Sequence, residues 1–198
     1  MMEYLICNNG AIVVTGSIDL TGTKLPELPR FGMRMELHQP YENLTYYGRG
    51  PFENYIDRYS GAFIGRYEDK VENQFYWYIR PQETGNKTDV RWLTLLDSGG
   101  LGVKITGLQP ISFSALHFSP EDLDPGLTRK LQHTIDIVPQ KNIFLHVDLK
   151  QRGLGGDNSW GMYPHNEYRL LDKKYTYSYM IELVEKGSDK NDYLNSRK

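Results

Sequence analysis

The sequence of 198 residues lacks the features that mark several common classes of protein. Cys7 is the single cysteine, which excludes an internal disulfide and a metal site built from several cysteines. The five histidines form no HxxxH or HxH pair, so the spacing gives no sign of a zinc site. The net charge is −2 and the charged residues are scattered, unlike the basic surface of a nucleic-acid-binding protein.

Long apolar runs are also missing. No stretch approaches the ~18 residues that a membrane-spanning helix needs, and the first residues do not read as a signal peptide. We therefore predict no nucleic-acid or membrane partner. The sequence gives no prediction of compartment, because Met1-Met2-Glu3 is compatible with an added start.

Tyrosine is abundant, with 15 residues, and apolar side chains recur with a period of two. In residues 31–37 the odd positions are apolar, whereas Arg34 and Glu36 point the other way. Such alternation predicts strands with one buried face. Similar reasoning predicts strands at residues 11–18, 31–37, 43–47, 75–79, 90–96, 102–106, 111–118, 133–138, 145–149 and 175–183.

Helical signals are few. Ser119 is a candidate N-cap, Pro120 follows at the first helical position, and acidic residues complete the turn. Residues 51–59 are a second helical candidate. Many short strands with few helices predict an all-β fold, an antiparallel sandwich or barrel.

Two polar clusters interrupt the strand pattern. Residues 47–58 combine glycines and a proline with Arg49, Glu53, Asn54, Asp57 and Arg58, which suit a loop fixed by ion pairs and amide hydrogen bonds. Residues 80–92 are equally polar, and we expect Glu83 and Arg91 to pair across that loop.

A third cluster, residues 153–161, places Trp160 at the end of a glycine-rich turn. Glycine permits positive φ, and Asp157 and Asn158 can hydrogen-bond their own backbone. An indole needs cover for its faces and a partner for its N–H. The ring either folds back on the core or stacks on the apolar face of a sugar.

Catalytic signatures are weak. Glu53 and Glu83 could form the carboxylate pair of a glycosidase, which needs an acid and a base or nucleophile. His117 could be the acid of an aldose epimerase, or a histidine satisfied within a sheet. No phosphate-binding loop, dinucleotide fingerprint or catalytic triad signature occurs.

Four motifs, in order along the chain, resemble those of the C-terminal domain of glycoside hydrolase family 2 β-galactosidases. Residues 28–32 match an LPRxG motif, and residues 48–58 match GxGPxENYxDR. Residues 80–86 resemble a PxExG loop, with Thr84 where asparagine is common. Residues 155–160 are similar to GGDxSW. The resemblance extends from about residue 25 to residue 183, where 175–179 fit the family's last strand.

The resemblance implies an antiparallel β-supersandwich like that of the galactose mutarotases. In the family, the catalytic carboxylates of the retaining hydrolase and its Mg²⁺ and Na⁺ ligands lie in a separate TIM-barrel domain. We therefore expect no catalytic residue, metal or cofactor in this chain. The resemblance also implies that Trp160 forms a platform for the sugar or aglycone of β-galactosides such as lactose, and that Asp157 and Asn158 set its loop.

The expected organisation is an N-terminal strand or added start at residues 1–24, the domain at 25–184 and a polar, disordered tail at 185–198. The family's domain has further strands before LPRxG, so we expect a truncated version with an uncovered edge or face, and a homo-oligomer. The expected partners are a galactoside and the TIM-barrel domain of the same polypeptide. A free-standing carbohydrate-binding module and an aldose 1-epimerase-like enzyme remain open as alternatives.

Overall fold

A computed structural model describes residues 1–124, 126 and 132–185. Of the tail predicted at residues 185–198, all but residue 185 lies outside the described part of the chain. Within that part the chain forms one short α-helix, α1 (Pro120–Leu123), besides short 3-10 turns. It also forms nine strands: β1 (Met2–Ile6), β2 (Ile12–Asp19), β3 (Arg30–Leu37), β4 (Asn43–Gly50), β5 (Phe63–Lys70), β6 (Lys87–Leu96), β7 (Gly102–Leu116), β8 (Ile143–Gln151) and β9 (Lys174–Val184).

The strands form one antiparallel sheet in the order β1-β2-β9-β7-β6-β4-β5. A branch leaves this path at β7, because β8 pairs with β7 and β3 pairs with β8. The branch is possible because β7 is 15 residues long. Its first part, Gly102–Gly107, pairs with β9, and its last part, Ser112–Leu116, pairs with β8.

The main core takes buried side chains from β2, β4, β6, β7, β8 and β9, and apolar side chains of β3 pack against it. Phe31 of β3 meets Tyr177 of β9 edge to face, with ring centroids 5.5 Å apart. The buried Tyr177 hydroxyl donates to the Val147 carbonyl of β8 at 2.9 Å, and the Tyr179 hydroxyl lies 3.0 Å from Met33 Sδ. The hydroxyls of Tyr177 and Tyr179 thus each have a partner, as buried tyrosine hydroxyls usually do. This packing confirms the predicted all-β antiparallel fold.

Two of the predicted strands are wrong. Residues 75–79 form no ladder: the Tyr76 N–H donates to Thr84 Oγ1 at 3.0 Å, and the Tyr78 N–H donates to the Tyr76 carbonyl at 2.9 Å. Residues 133–138 contain the 3-10 turn Thr134–Asp136, capped by the His133 N–H on Asp136 Oδ2 at 2.8 Å. In both segments acceptors within the same loop region, side-chain or backbone, take the N–H groups that a strand would donate to its neighbour.

The helix predictions had mixed outcomes. Ser119 caps α1 as expected, because its hydroxyl accepts from the Asp122 N–H at 3.2 Å. Residues 51–59 are not helical. There the Asn54 N–H donates to the Asn86 carbonyl at 2.8 Å, which binds this loop to the segment before β6 instead of to its own next turn.

Candidate functional site

Trp160 stands at the tip of an exposed turn. Residues 154–161 are all exposed, and Trp160 itself is 91% exposed. The Trp160 N–H donates to Asn158 Oδ1 at 2.8 Å, and Gly161 has a φ of +94° that favours glycine. The bond from the Trp160 N–H to Asn158 is of the local backbone kind that the sequence predicted for Asn158, and the ring does not fold back on the core. None of the described residues buries the faces of the indole.

The two ends of the Trp160 loop, residues 152–170, are fastened together. The Gly153 N–H donates to the Tyr168 carbonyl at 2.8 Å. The Glu27 carboxylate, only 8% exposed, accepts from Arg152 at 2.9 Å and from Arg169 at 2.5 Å. The two arginine hydrogen bonds lower the pKa of Glu27 against the opposing effect of burial. A buried carboxylate between two guanidinium groups forms a firm base for the loop.

An aromatic ring completes this base. The guanidinium carbons of Arg169 and Arg152 lie 4.7 and 5.5 Å from the ring centroid of Tyr163. Cation–π contacts of this length hold an aromatic ring in place. Tyr163 therefore lies in a held position three residues beyond Trp160.

Asp57 joins this loop to the loop between β4 and β5. Its Oδ2 accepts from the Gly155 N–H at 2.7 Å. A Cβ added at Gly153 would lie 2.7 Å from Asp57 Cγ, so the carboxylate packs directly on the loop backbone. The sequence reading assigned Asp57 to a local knot of ion pairs and missed this contact, which spans 98 residues of sequence.

Asp157 faces away from this contact and pairs with His165. The Asp157 Oδ1 and His165 Nε2 atoms are 2.8 Å apart on the surface. The hydrogen bond from Asp157 raises the pKa of His165. Asp157 thus supports the loop that carries Trp160.

Glu53 is surrounded by donors. Its Oε1 accepts from Arg58 at 2.6 Å and from the Tyr78 hydroxyl. Its Oε2 accepts from Thr84 Oγ1 at 3.0 Å and from the Gly85 N–H at 2.7 Å. Burial would raise the pKa of Glu53, but the bonds from Tyr78, Gly85, Arg58 and Thr84 together lower it. A carboxylate with every lone pair engaged holds loops together and is poorly placed to move a proton.

Glu83 belongs to a different cluster, centred on Arg30. The Arg30 guanidinium lies 3.2 Å from Glu83 Oε1 and 2.9 Å from Asp148 Oδ2. It also donates to Gln151 at 2.7 Å and lies 3.0 Å from His146 Nδ1. The expected Glu83–Arg91 pair is therefore wrong, because Arg30 holds Glu83 while Arg91 donates to the Asp89 carbonyl.

Burial sets the protonation of two groups in the Arg30 cluster. It raises the pKa of Asp148, which has no solvent exposure, to about 7. Burial and the nearby Arg30 charge lower the pKa of His146 to about 4. The neutral imidazole then accepts from Arg30 through Nδ1, which leaves the proton on Nε2. Sequence reasoning missed Arg30 and Asp148 because they are 118 residues apart and meet only through the β3–β8 pairing.

His117 lies apart from both the Trp160 loop and the carboxylates. Its Nδ1 is 3.1 Å from the Asn142 carbonyl and its Nε2 is 3.1 Å from Glu42 Oε2. Both ring nitrogens are thus engaged at the end of β7, which is the arrangement of a histidine satisfied within a sheet. This geometry gives no free acid for an epimerase.

The described residues contain no group of three or more His, Cys, Asp or Glu side chains that could hold a metal ion. No helix in the described ranges is both long enough and apolar enough to cross a membrane. Trp160, Asp157 and Asn158 come together in one turn, whereas Glu53, Glu83 and His117 are each bound into separate polar networks.

Comparison with known proteins identifies the family of the chain. The family described as "Beta galactosidase small chain" matches residues 1–181. A β-galactosidase of Priestia megaterium is 36% identical over 182 residues, 91% of this chain and 17% of the relative. A β-galactosidase of Streptococcus thermophilus is 36% identical over 183 residues, also 91% of this chain and 17% of the relative.

A third relative is the β-galactosidase of Halalkalibacterium halodurans, which is 34% identical over 170 residues, 84% of this chain and 16% of its own length. The chain thus spans about one sixth of the length of these curated relatives. The match over nearly the whole sequence shows that this chain belongs to the β-galactosidase small chain family.

Proposed function

We propose that this chain is a non-catalytic part of a β-galactosidase that hydrolyses terminal β-D-galactosides such as lactose with retention. In this proposal it contributes Trp160 to the sugar or aglycone site, and the rest of the enzyme contributes the chemistry. Asp157 and Asn158 set the loop. Any Mg²⁺ or Na⁺ belongs to other domains.

The exposed Trp160 ring carries the proposal. An indole that is 91% exposed leaves its hydrophobic faces in water, which is costly for so large a side chain. The loop beneath it is nevertheless fastened by Glu27 and Asp57. An aromatic ring on a fastened loop, with no described residue covering its faces, suits the apolar face of a pyranose ring.

The carboxylates support a division of labour. Glycoside hydrolysis needs a pair of carboxyl groups on either side of the scissile bond, free to donate a proton and to attack. Glu53 has four donors, and Glu83 is paired with Arg30. We therefore expect no hydrolysis by this chain without the other domain.

Exposed apolar side chains support a large partner at the same end of the molecule. Arg58, the neighbour of Asp57, donates to the Tyr78 hydroxyl at 2.9 Å, and the Tyr78 carbonyl accepts from Thr134. Around these contacts lie the exposed side chains of Phe52, Tyr76, Trp77, Ile79, Ile135 and Val138. An apolar group of this kind is typical of an interface. We propose that the TIM-barrel domain of the same enzyme covers it.

The binding test uses the tryptophan indole N–H signals in a proton–nitrogen NMR spectrum of the chain. Galactose and lactose are titrated to high millimolar concentration, because a ring stacked on one open face gains only a few kcal/mol, about enough for a millimolar Kd. The Trp160 signal, identified by its loss in Trp160→Phe, should move with sugar. The signals of Trp77 and Trp92 should not.

The activity test uses a β-galactosidase that carries this chain, covalently or as an added subunit. Trp160→Ala should raise KM for lactose about ten-fold or more, the loss of one stacked ring. Phe63→Ala is the control for losing an exposed aromatic ring, because Phe63 is 74% exposed on the edge strand β5, outside both the Trp160 loop and the proposed interface, and its loss should leave KM for lactose unchanged. An unchanged KM in Trp160→Ala, with no sugar-dependent shift, would overturn the proposal.

A further inference from the structure

We infer that Asp57 is the positioning residue of the Trp160 platform: its carboxylate, carried by the β4–β5 loop, fixes where the indole stands. The inference rests on the proposed function, because it assigns the support of that same site.

The contact is short and charge-assisted. Asp57 Oδ2 accepts from the Gly155 N–H at 2.7 Å, the length expected for a backbone donor on an ionised carboxylate. Among the described residues, it is the hydrogen bond that joins residues 154–161 to a part of the chain outside the loop. The other bonds of that turn, such as Trp160 N–H to Asn158, are internal and move with it.

Glycines make this approach possible. A Cβ at Gly153 would lie 2.7 Å from Asp57 Cγ, and one at Gly155 would lie 3.3 Å from Asp57 Oδ2. Only a backbone without side chains lets the carboxylate sit between these two positions. Gly153 and Gly155 therefore leave the space that the Asp57 carboxylate occupies.

The support beneath Asp57 is itself firm. Arg58 donates to Glu53 at 2.6 Å, and its guanidinium carbon lies 4.8 Å from the ring centroid of Tyr55, which is 1% exposed. The Asn54 side chain, with no exposure, accepts from the Thr88 N–H at 2.9 Å. Asp57 thus connects the exposed Trp160 loop to the β4–β5 loop, which packing and hydrogen bonds hold in place.

Three variants test the inference in a β-galactosidase that carries this chain. Asp57→Ala removes the acceptor, and Asp57→Asn keeps an oxygen that can accept from Gly155. Asp97→Ala is the matched control, because Asp97 Oδ1 accepts from the Leu101 N–H at 2.9 Å in the turn after β6, where it touches nothing in the Trp160 loop.

Asp57→Ala should raise KM for lactose about ten-fold with a smaller change in kcat, because a platform displaced by about 1 Å costs one to two orders of magnitude. Asp57→Asn should restore KM to within about two-fold, since it keeps the hydrogen bond. The Trp160 indole signal of the free chain should also shift in Asp57→Ala and stay in place in Asp57→Asn and Asp97→Ala.

Gly155→Pro breaks the same bond from the other side, because it removes the N–H donor and places ring atoms next to Asp57 Oδ2, while every residue of the β4–β5 loop is kept. It should reproduce the effects of Asp57→Ala even where Asp57→Ala fails to fold. The inference is overturned if Trp160→Ala raises KM while Asp57→Ala and Gly155→Pro leave it unchanged. If Trp160→Ala itself has no effect, the proposed function fails first.

Discussion

The Nε atom of Arg30 lies 2.9 Å from Oδ2 of Asp148, a carboxylate with no solvent exposure, and this pair joins the start of β3 to the end of β8. Removal of one partner from a buried pair leaves an uncompensated charge and costs several kcal/mol. Loss of one partner of this pair should therefore cost more than loss of one partner of a surface pair.

Arg30→Met should lower the free energy of unfolding by about 3 kcal/mol at pH 8 and by less at pH 5. The native pKa of Asp148, about 7, is above its ordinary value of 3.8, so its contribution is full below 3.8 and is lost as the pH rises through 7. At pH 5 the lone carboxyl group can keep its proton.

The measurement is urea unfolding of wild type and variant at both pH values. Arg34→Met is the matched control on the same strand, because Arg34 pairs with Glu121 in the open, with side chains 43% and 69% exposed. It should cost less than about 1 kcal/mol at either pH. Equal losses for the two variants would contradict the buried-pair argument.

Gly32 shows how tightly β3 and β8 approach. A Cβ at Gly32 would lie 1.8 Å from Asp148 Oδ1 and 2.6 Å from Asp148 Cα, where the backbone has to move. Gly32→Ala should destabilise by about 3 kcal/mol, which lowers Tm by roughly 10 °C. Gly61→Ala is the control, with its Cβ 3.9 Å from Phe52. A thermal melt in which both variants unfold together would refute the steric argument.

The contribution of the Glu53 network to stability should be measurable with an isosteric substitution. Glu53→Gln keeps the volume and replaces one acceptor by a donor, so we expect a loss of about 2 kcal/mol at pH 7. The pKa of Glu53 is below its ordinary value of 4.5, so its stabilisation is present above 4.5 and is lost as the pH falls through the native value. The difference between wild type and variant should therefore shrink in acid.

Denaturant unfolding at pH 7 and pH 3.5 checks this expectation. Glu72→Gln serves as control, since Glu72 is 62% exposed and lies 3.5 Å from Lys70. A difference between wild type and Glu53→Gln that stays constant in acid would mean that the charge of Glu53 is not what holds the loops.

Lys87 is buried without a carboxylate in direct contact. Its Nζ donates to Gln74 Oε1 at 3.0 Å and to the Gly85 carbonyl at 3.1 Å, and burial lowers its pKa from 10.5 to about 8. The native state releases this proton more easily than the unfolded chain does. The contribution of Lys87 to stability should therefore increase as the pH rises from 8 toward 10.5.

Lys87→Met removes that increase. Between pH 7.5 and pH 9.5 the stability of wild type should rise relative to the variant by about 1–2 kcal/mol in urea unfolding. Lys70→Met, whose parent side chain is 58% exposed, should follow wild type across the same range. Parallel pH profiles for wild type and Lys87→Met would show that burial does not govern this lysine.

The outer edge of β1 should promote self-association. β1 pairs with β2 on one side only, and Tyr4, Leu5 and Ile6 are exposed. An open apolar edge strand is a template for a second chain. Light scattering should show a mass that increases with concentration in wild type and not in Leu5→Lys. Leu183→Lys, on the interior strand β9, should behave as wild type. A wild-type monomer at high concentration would contradict this.

Strand prediction succeeded where one face is buried. In β3 and β9 the residues that face the core alternate with more exposed residues, so the period of two in the sequence matches the structure. β5 was missed because it is an edge strand with mostly exposed residues, so burial imposes no alternation on it. The strand predicted at residues 75–79 was wrong because its apolar residues Tyr76 and Trp77 are exposed and do not pack in the core.

The site was only partly readable from sequence. The exposed turn of Trp160 follows from local chemistry, since glycines and Asn158 act within a few residues. The Asp57–Gly155 and Arg30–Asp148 contacts join positions 98 and 118 residues apart, and no local pattern specifies them. Such pairs appear only when the sheet order is known.

The pairing of β2 with β9 has a consequence for synthesis. Ile12–Asp19 bonds to Lys174–Ile181, so β2 has to wait during synthesis for a partner strand that lies about 160 residues further along the chain. A contact order this high makes folding slow and late. The Trp160 loop comes just before β9, and its base residue Glu27 follows β2. The Trp160 loop is therefore fixed in place only after β9 has paired with β2. A chain that is cut before β9 should not hold the indole in position.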